Sequence, residues 1–214
     1  MFTEELFRFL SELKENNDKT WFEQNKKRYE QAVKGPFAEF IEAFAPCLHQ
    51  ISPHFMADKR SFFRIHRDVR FSRDKSPYKT HAAAQFRHEK AKDIHAPGFY
   101  LHLEPGSVFA GVGLYQPEPK VAALVREAIS DNPRSWKQAV EPLELGGESL
   151  KRPPQGYAAD HPLVEDLKRK DFIAMRTFTE KQACQKDFLQ RFSGYCQEAS
   201  PFSRFLTEAI GLSY

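Results

Sequence analysis

The side chains best suited to chemistry are concentrated in residues 64–81, which read Arg-Ile-His-Arg-Asp-Val-Arg-Phe-Ser-Arg-Asp-Lys-Ser-Pro-Tyr-Lys-Thr-His. Arginine recurs at 64, 67, 70 and 73, and the backbone decides whether these four converge. A polyproline-type run sets all of them on one side, whereas a strand divides them by parity. Phe63 and Ile65 alternate with Arg64 and His66, so the segment is expected to be a strand. Val69 and Phe71 then continue its apolar side, and Arg64, His66, Asp68, Arg70 and Ser72 share its polar side. Arg67 and Arg73 fall on the buried side or mark a bend. Two guanidinium forks and an imidazole on one face suit bidentate capture of a phosphate or carboxylate. Ser76-Pro77 sets a turn after the strand, which presents Lys75, Tyr78 and Lys79 near its end.

The expected ligand-binding set is therefore Arg64, Arg70, Ser72, Lys75, Tyr78 and Lys79, for a phosphorylated or other anionic small molecule. His66 and Asp68 are the candidate acid–base pair, because an imidazole titrates near neutrality. Two rival readings use the same residues. In one, the cations track nucleic-acid phosphates while Tyr78 or Tyr100 stacks on bases. In the other, the arginines form an internal ion-pair web with Asp68 and Asp74, a structural or partner-binding device, and Tyr78 is a packing cap.

Other chemistries find weaker support. Ser72 and Lys75 have the Ser-x-x-Lys spacing of a serine acylase, but that Lys belongs one helical turn from its Ser, and this context is strand and turn. Gly111-x-Gly113 lacks the third glycine and the following helix of a dinucleotide fingerprint, and its glycines are expected to admit a helix or ligand close to the sheet. The eight His include 88, 95 and 102 at intervals of seven, besides 66 and 81. None of these spacings is that of a metal site, so no metal is expected unless residues converge through the fold. No cofactor is indicated. Cys47, Cys184 and Cys196 fit reduced thiols.

The elements that must position the basic segment show in the periodicity. Leu6, Phe9, Leu10 and Leu13 mark one helix; Trp21, Phe22, Tyr29 and Val33 a second, expected to stop at Gly35-Pro36; Phe37, Phe40, Ile41, Phe44, Leu48 and Ile51 a third, kinked or divided at Pro46. The period then falls to two. Residues 98–104 and 107–115 are expected to form an antiparallel hairpin around Pro105-Gly106, with 80–87 a weaker strand and 172–179 a further one. Helices are expected after Pro119, around Trp136, through 188–196 and from Ser200-Pro201 to Gly211, and 141–162 is mostly loop. This succession predicts one α+β domain over 1–214, an antiparallel sheet with N-terminal and C-terminal helices packed against it. Residues 1–52 form its helical part, 60–116 its strand-rich part with the basic motif, and 117–214 helices plus one more strand.

The run Arg64-Ile65, Arg67-Asp68, Arg70-Phe71-Ser72, Asp74-Lys75, Pro77-Tyr78-Lys79-Thr80-His81 resembles the hallmark of a bacterial and fungal family, domain of unknown function 2461. Phe9-Leu10, Asn16-Asn17, Trp21-Phe22, Asn25-Lys26, Tyr29, residues 98–106 and the loop from Arg152-Pro153 to Pro162 resemble it too. The resemblance implies an α+β domain and no established activity.

Composition sets the outer limits. The chain has 214 residues with 41% hydrophobic and 20 Phe, enough for a core, which excludes a disordered chain. Net charge is +3, but residues 61–100 alone hold 9 Lys+Arg against 4 Asp+Glu, a net of +5. A field so localised attracts anions. Mean hydropathy is −0.62 and no apolar run approaches a membrane span. Glu4, Glu5 and Glu12 are wrong for a leader, so the protein is expected to be soluble and cytoplasmic. Nothing in the sequence bears on its oligomeric state.

Overall fold

The computed structural model describes residues 1–90 and 97–214. It shows an α+β fold in which helices at both ends of the chain cover one face of an antiparallel sheet. Helix α1, Glu4–Glu15, buries Leu6, Phe7, Phe9, Leu10 and Leu13. The Asp18 side chain accepts the Trp21 N–H at 3.0 Å and so caps α2, Lys19–Tyr29.

Gly35-Pro36 does not end the helical run. A π-helical turn, Glu30–Lys34, carries the chain directly into α3, Gly35–Ile51. Proline is tolerated in a first helical turn because its missing N–H has no intrahelical partner to lose, and the widened turn provides such a start without a break. Pro46 lies inside α3 and does not divide it.

The sheet order is β1-β2-β3-β4-β6-β5, every pairing antiparallel. Its strands are β1, Phe55–Met56; β2, Ala82–His88; β3, Gly98–Glu104; β4, Ser107–Leu114; β5, Leu145–Gly146; and β6, Phe172–Phe178. The β3–β4 hairpin turns through Gly106, whose φ of 80° suits glycine. Phe86, Phe99, Leu101, Leu103, Val108, Ala110, Val112, Leu114, Phe172 and Ala174 form the buried face. Phe44 of α3 packs on Phe86 at 4.7 Å and on Phe192 at 4.9 Å. Phe192 belongs to α8, Phe188–Glu198, and α9, Ser200–Ala209, adds Phe202 and Leu206. Between the strands run α4, Pro119–Asp131, α5, Pro133–Val140, and the short α6, Val164–Leu167, while the short α7, Glu180–Ala183, follows β6.

By alternation, Ala83, Tyr100, His102, Phe109 and Gly111 point to the opposite face of the sheet. The protein atoms nearest the β4 glycines belong to the neighbouring strands β3 and β6. A Cβ at Gly111 would lie 3.7 Å from the Tyr100 Cβ, and one at Gly113 would meet the Phe172 carbonyl oxygen at 2.0 Å.

Candidate functional site

The basic segment meets the sheet only briefly. Phe63 N–H donates to Ala83 O at 3.0 Å and Gln85 N–H to Ser61 O at 2.8 Å, extending the edge beside β2. The chain then leaves the sheet. Arg67 N–H donates to Pro77 O at 2.9 Å and Lys79 N–H to Ile65 O at 2.8 Å, which makes a narrow neck with residues 68–76 looped beyond it. The strand expected through Phe71 is absent, and with it the shared polar face from Arg64 to Ser72. Phe71, placed by parity on the apolar side, is 96% exposed. The cause is local. Asp68 accepts the Arg70 N–H at 3.2 Å and Asp74 the Ser76 N–H at 2.9 Å, so two Asx turns take the donors that a ladder would need.

The loop pairs Arg67 and Arg70 with its own carboxylates, while Arg73 is exposed and has no ion pair among the described residues. Arg70 pairs with Asp68 at 2.7 Å, and its hydrogen bonds lower the Asp68 carboxyl to about 2. Arg67 pairs with Asp74 and also donates to Ser76 O at 3.2 Å. Lys75 Nζ donates to Val69 O at 2.9 Å, and Ser72, near it in the loop, donates its N–H to Val69 O at 3.4 Å. Neither is on a helix, as a Ser-x-x-Lys acylase would require. Because Arg67 ties the two sides of the loop, Arg67→Ala is expected to lower the melting temperature by about 2–5 °C. Arg70→Ala, which removes an exposed pair, should leave it unchanged in the same thermal melts. Equal losses would contradict this division.

Tyr78 is 3% exposed and stacks on Phe22 at 4.1 Å and 23°. Asn17 clamps its backbone, accepting its N–H at 3.0 Å and donating to its carbonyl at 2.9 Å. His66 is exposed, with its ring 5.2 Å from that of Tyr78, and no hydrogen bond joins it to Asp68 among the described residues. Apart from the paired Arg67 and Arg70, the neck carries Arg64 and Lys79. Neither has a carboxylate partner among the described residues. Lys79 is half-buried with its ammonium 5.1 Å above the Phe63 ring, and burial, then the Arg64 charge, lowers its pKa.

Beyond Lys79 the motif runs into the sheet face opposite the helices, where Ala83 and His102 are buried and the Phe63 ring lies 6.2 Å from that of Tyr100. Ala82 pairs with Leu103 and Ala83 with His102, so His81 falls opposite Glu104. Tyr100, His102 and Glu104 succeed one another on that side of β3. Tyr100 Oη donates to His102 Nδ1 at 3.0 Å, His102 Nε2 to Glu104 Oε2 at 3.3 Å, and Thr80 Oγ1 to Glu104 Oε1 at 3.0 Å. These directions are those of the neutral imidazole protonated at Nε2, the form that burial favours. Phe109 stacks on His102 at 4.7 Å, and the His81 ring lies 4.6 Å from that of His102.

Burial governs the titration here. It lowers His81 to about 4, with His102 and Lys79 adding to the effect and Glu104 opposing it. It lowers His102 against the pull of Glu104, and it raises the Tyr100 phenol to about 12 with help from Glu104. At neutral pH the site holds two uncharged imidazoles beside a carboxylate, with two cations at its edge. His81, His102 and Glu104 offer three donor atoms within 4.8 Å of one another, the set that could hold a metal ion.

Sequence spacing brings these residues nowhere near each other. The available signal was the alternation of Tyr100, His102 and Glu104 along one strand and the His81 that ends the motif; the β2–β3 register that joins them is tertiary. Of the other histidines, His88 is buried and pairs with Ser213 O at 2.9 Å, and His95 lies outside the described residues.

Fold and site define an α+β protein whose sheet carries a polar Tyr-His-Glu row on the face away from the core, beside a basic hairpin. The chain belongs to the DUF2461 family, described as conserved hypothetical protein, whose model matches residues 5–205. A comparison with curated proteins found no match. Among the described residues no helix is long and apolar enough to cross a membrane.

Proposed function

We propose that this is a cytoplasmic protein that binds a small phosphorylated or other anionic ligand at the edge of the sheet face that carries Tyr100 and His102, held by Arg64 and Lys79. The observation that carries the reading is Lys79, a half-buried ammonium with no carboxylate partner among the described residues, depressed further by a second unpaired cation. Asp68 lies within electrostatic reach of Arg64 without pairing to it, and Lys79 has neither an ion pair among the described residues nor full hydration, so an anion seated between the two cations and the sheet relieves both the repulsion and the lost hydration. The loop cations are poorer candidates. Arg70, Arg67 and Lys75 already have partners, and Tyr78 is buried under Phe22. Within reach of the same face, the Tyr100–His102–Glu104 chain can hold or pass a proton, a task that suits it better than His66 and Asp68, which are not joined. The free thiols at Cys47, Cys184 and Cys196 agree with a reducing compartment.

Thermal melts with inorganic phosphate, pyrophosphate and a short single-stranded oligonucleotide test the reading. Pyrophosphate near one hundred times its dissociation constant should raise the melting temperature by about 5–10 °C. The rise should vanish in Lys79→Met and Arg64→Ala and persist in Arg70→Ala. No rise with either phosphate would overturn the proposal. A rise confined to the oligonucleotide, steeply salt-dependent and abolished in Arg70→Ala, would replace it with the nucleic-acid reading.

A further inference from the structure

We propose that His81, His102 and Glu104 bind one divalent transition-metal ion of the zinc type, with one coordination position left open. The inference does not rest on anion binding at Arg64 and Lys79, since it follows from the donor atoms alone.

Two imidazoles and one carboxylate suit zinc and its neighbours, whereas calcium and magnesium prefer oxygen donors throughout. Bonds of about 2.0 Å in a tetrahedral zinc site place any two ligand atoms about 3.3 Å apart. His102 Nε2 and Glu104 Oε2 are 3.3 Å apart. That is long for a charge-assisted hydrogen bond and right for two ligands of one ion. The third donor atom, on His81, lies within 4.8 Å of the others, so capture requires the His81 ring to swing inward.

The surrounding contacts leave the donor atoms pointing at one place. Tyr100 Oη engages His102 at Nδ1, which turns Nε2 toward Glu104; with a metal on Nε2, Nδ1 carries the proton and donates to Tyr100. Thr80 takes Oε1 of Glu104 and leaves Oε2 toward His102. His102 is 8% exposed and stacked on Phe109, and it shares β3 with Glu104, so two of the three ligands sit on a rigid element. A hydrogen-bonded Tyr-His-Glu-Thr network would be complete without His81. Yet His81 is half-buried beside it and has no hydrogen-bond partner among the described residues. Its ring nitrogens are therefore free to take an ion. Three protein ligands leave a fourth position open.

The test uses the full chain, stripped with a chelator and titrated with cobalt(II), then with zinc(II), in chloride buffer free of phosphate. One equivalent of cobalt should bind and give the intense visible bands of low-symmetry coordination, displaced by zinc. His81→Ala and Glu104→Gln should each weaken binding on the order of 100-fold, and Tyr100→Phe about 10-fold. Lys79→Met should keep full metal affinity while losing any response to phosphate, which separates this proposal from the anion reading. Should His102→Ala fail to fold, the His81 and Glu104 variants still decide the matter. Absence of stoichiometric binding, unchanged affinity in His81→Ala, or a thiolate-to-cobalt charge-transfer band marking cysteine ligation would overturn it.

Discussion

Phe22→Ala is expected to cost about 3–5 kcal/mol of stability, the range for removing a large aromatic from a closed site. Phe22 is 4% exposed and its ring stacks on Tyr78 at 4.1 Å while touching Tyr29 at 5.3 Å. Through Tyr78 it fixes the neck from which Arg64 and Lys79 project, so the loss is not confined to a cavity. Against a total stability of about 5–15 kcal/mol, such a change leaves little margin. Urea denaturation of Phe22→Ala and Phe22→Leu measures it, and the leucine variant should recover much of the loss. A cost of about 1 kcal/mol or less would show that the basic segment is held by something other than this stack.

Gly113→Ala is expected to be as damaging, at about 3–5 kcal/mol, through backbone alone. Gly113 has a φ of 122°, which side-chain-bearing residues rarely adopt, and the added methyl would lie 2.0 Å from the Phe172 carbonyl oxygen. The obstructing atom is main chain in the paired strand β6, so relief means parting β4 from β6. Gly111→Ala provides the contrast. Its nearest neighbour would be the Tyr100 Cβ at 3.7 Å, an ordinary contact, and it should cost about 1 kcal/mol or less. Comparable denaturation midpoints for the two alanine variants would contradict this account of the β4–β6 pairing.

Much of the fold could be read from the chain because it depends on local pattern. The stripe of Leu6, Phe9, Leu10 and Leu13 admits one helix face, and the alternation on either side of Pro105-Gly106 admits one hairpin. The basic segment misleads for an equally local reason. Its alternation of apolar and polar residues is real, but Asp68 and Asp74 hold the backbone donors and turn a strand pattern into a loop. Gly35-Pro36 reads as a stop because the π-helical turn that carries the chain past it has no sequence signature in the periodicity. The evenly spaced arginines divide not by parity but by availability of partners, with Asp68 and Asp74 taking Arg70 and Arg67 and leaving Arg64 and the exposed Arg73 without an ion pair among the described residues. The meeting of His81 with His102 and Glu104 depends on the register of β2 on β3, which is set by burial of Ala82, Ala84 and Phe86 against the helices, far from the motif itself.

The central claim, an anion seat at Arg64 and Lys79, is tested most directly by calorimetric titration of pyrophosphate into the parent, the Arg64→Ala/Lys79→Met double variant and Arg70→Ala. The account predicts a saturable one-to-one isotherm for the parent and for Arg70→Ala, and no detectable heat of binding for the double variant. Equal binding by the double variant, or binding lost in Arg70→Ala alone, would contradict it.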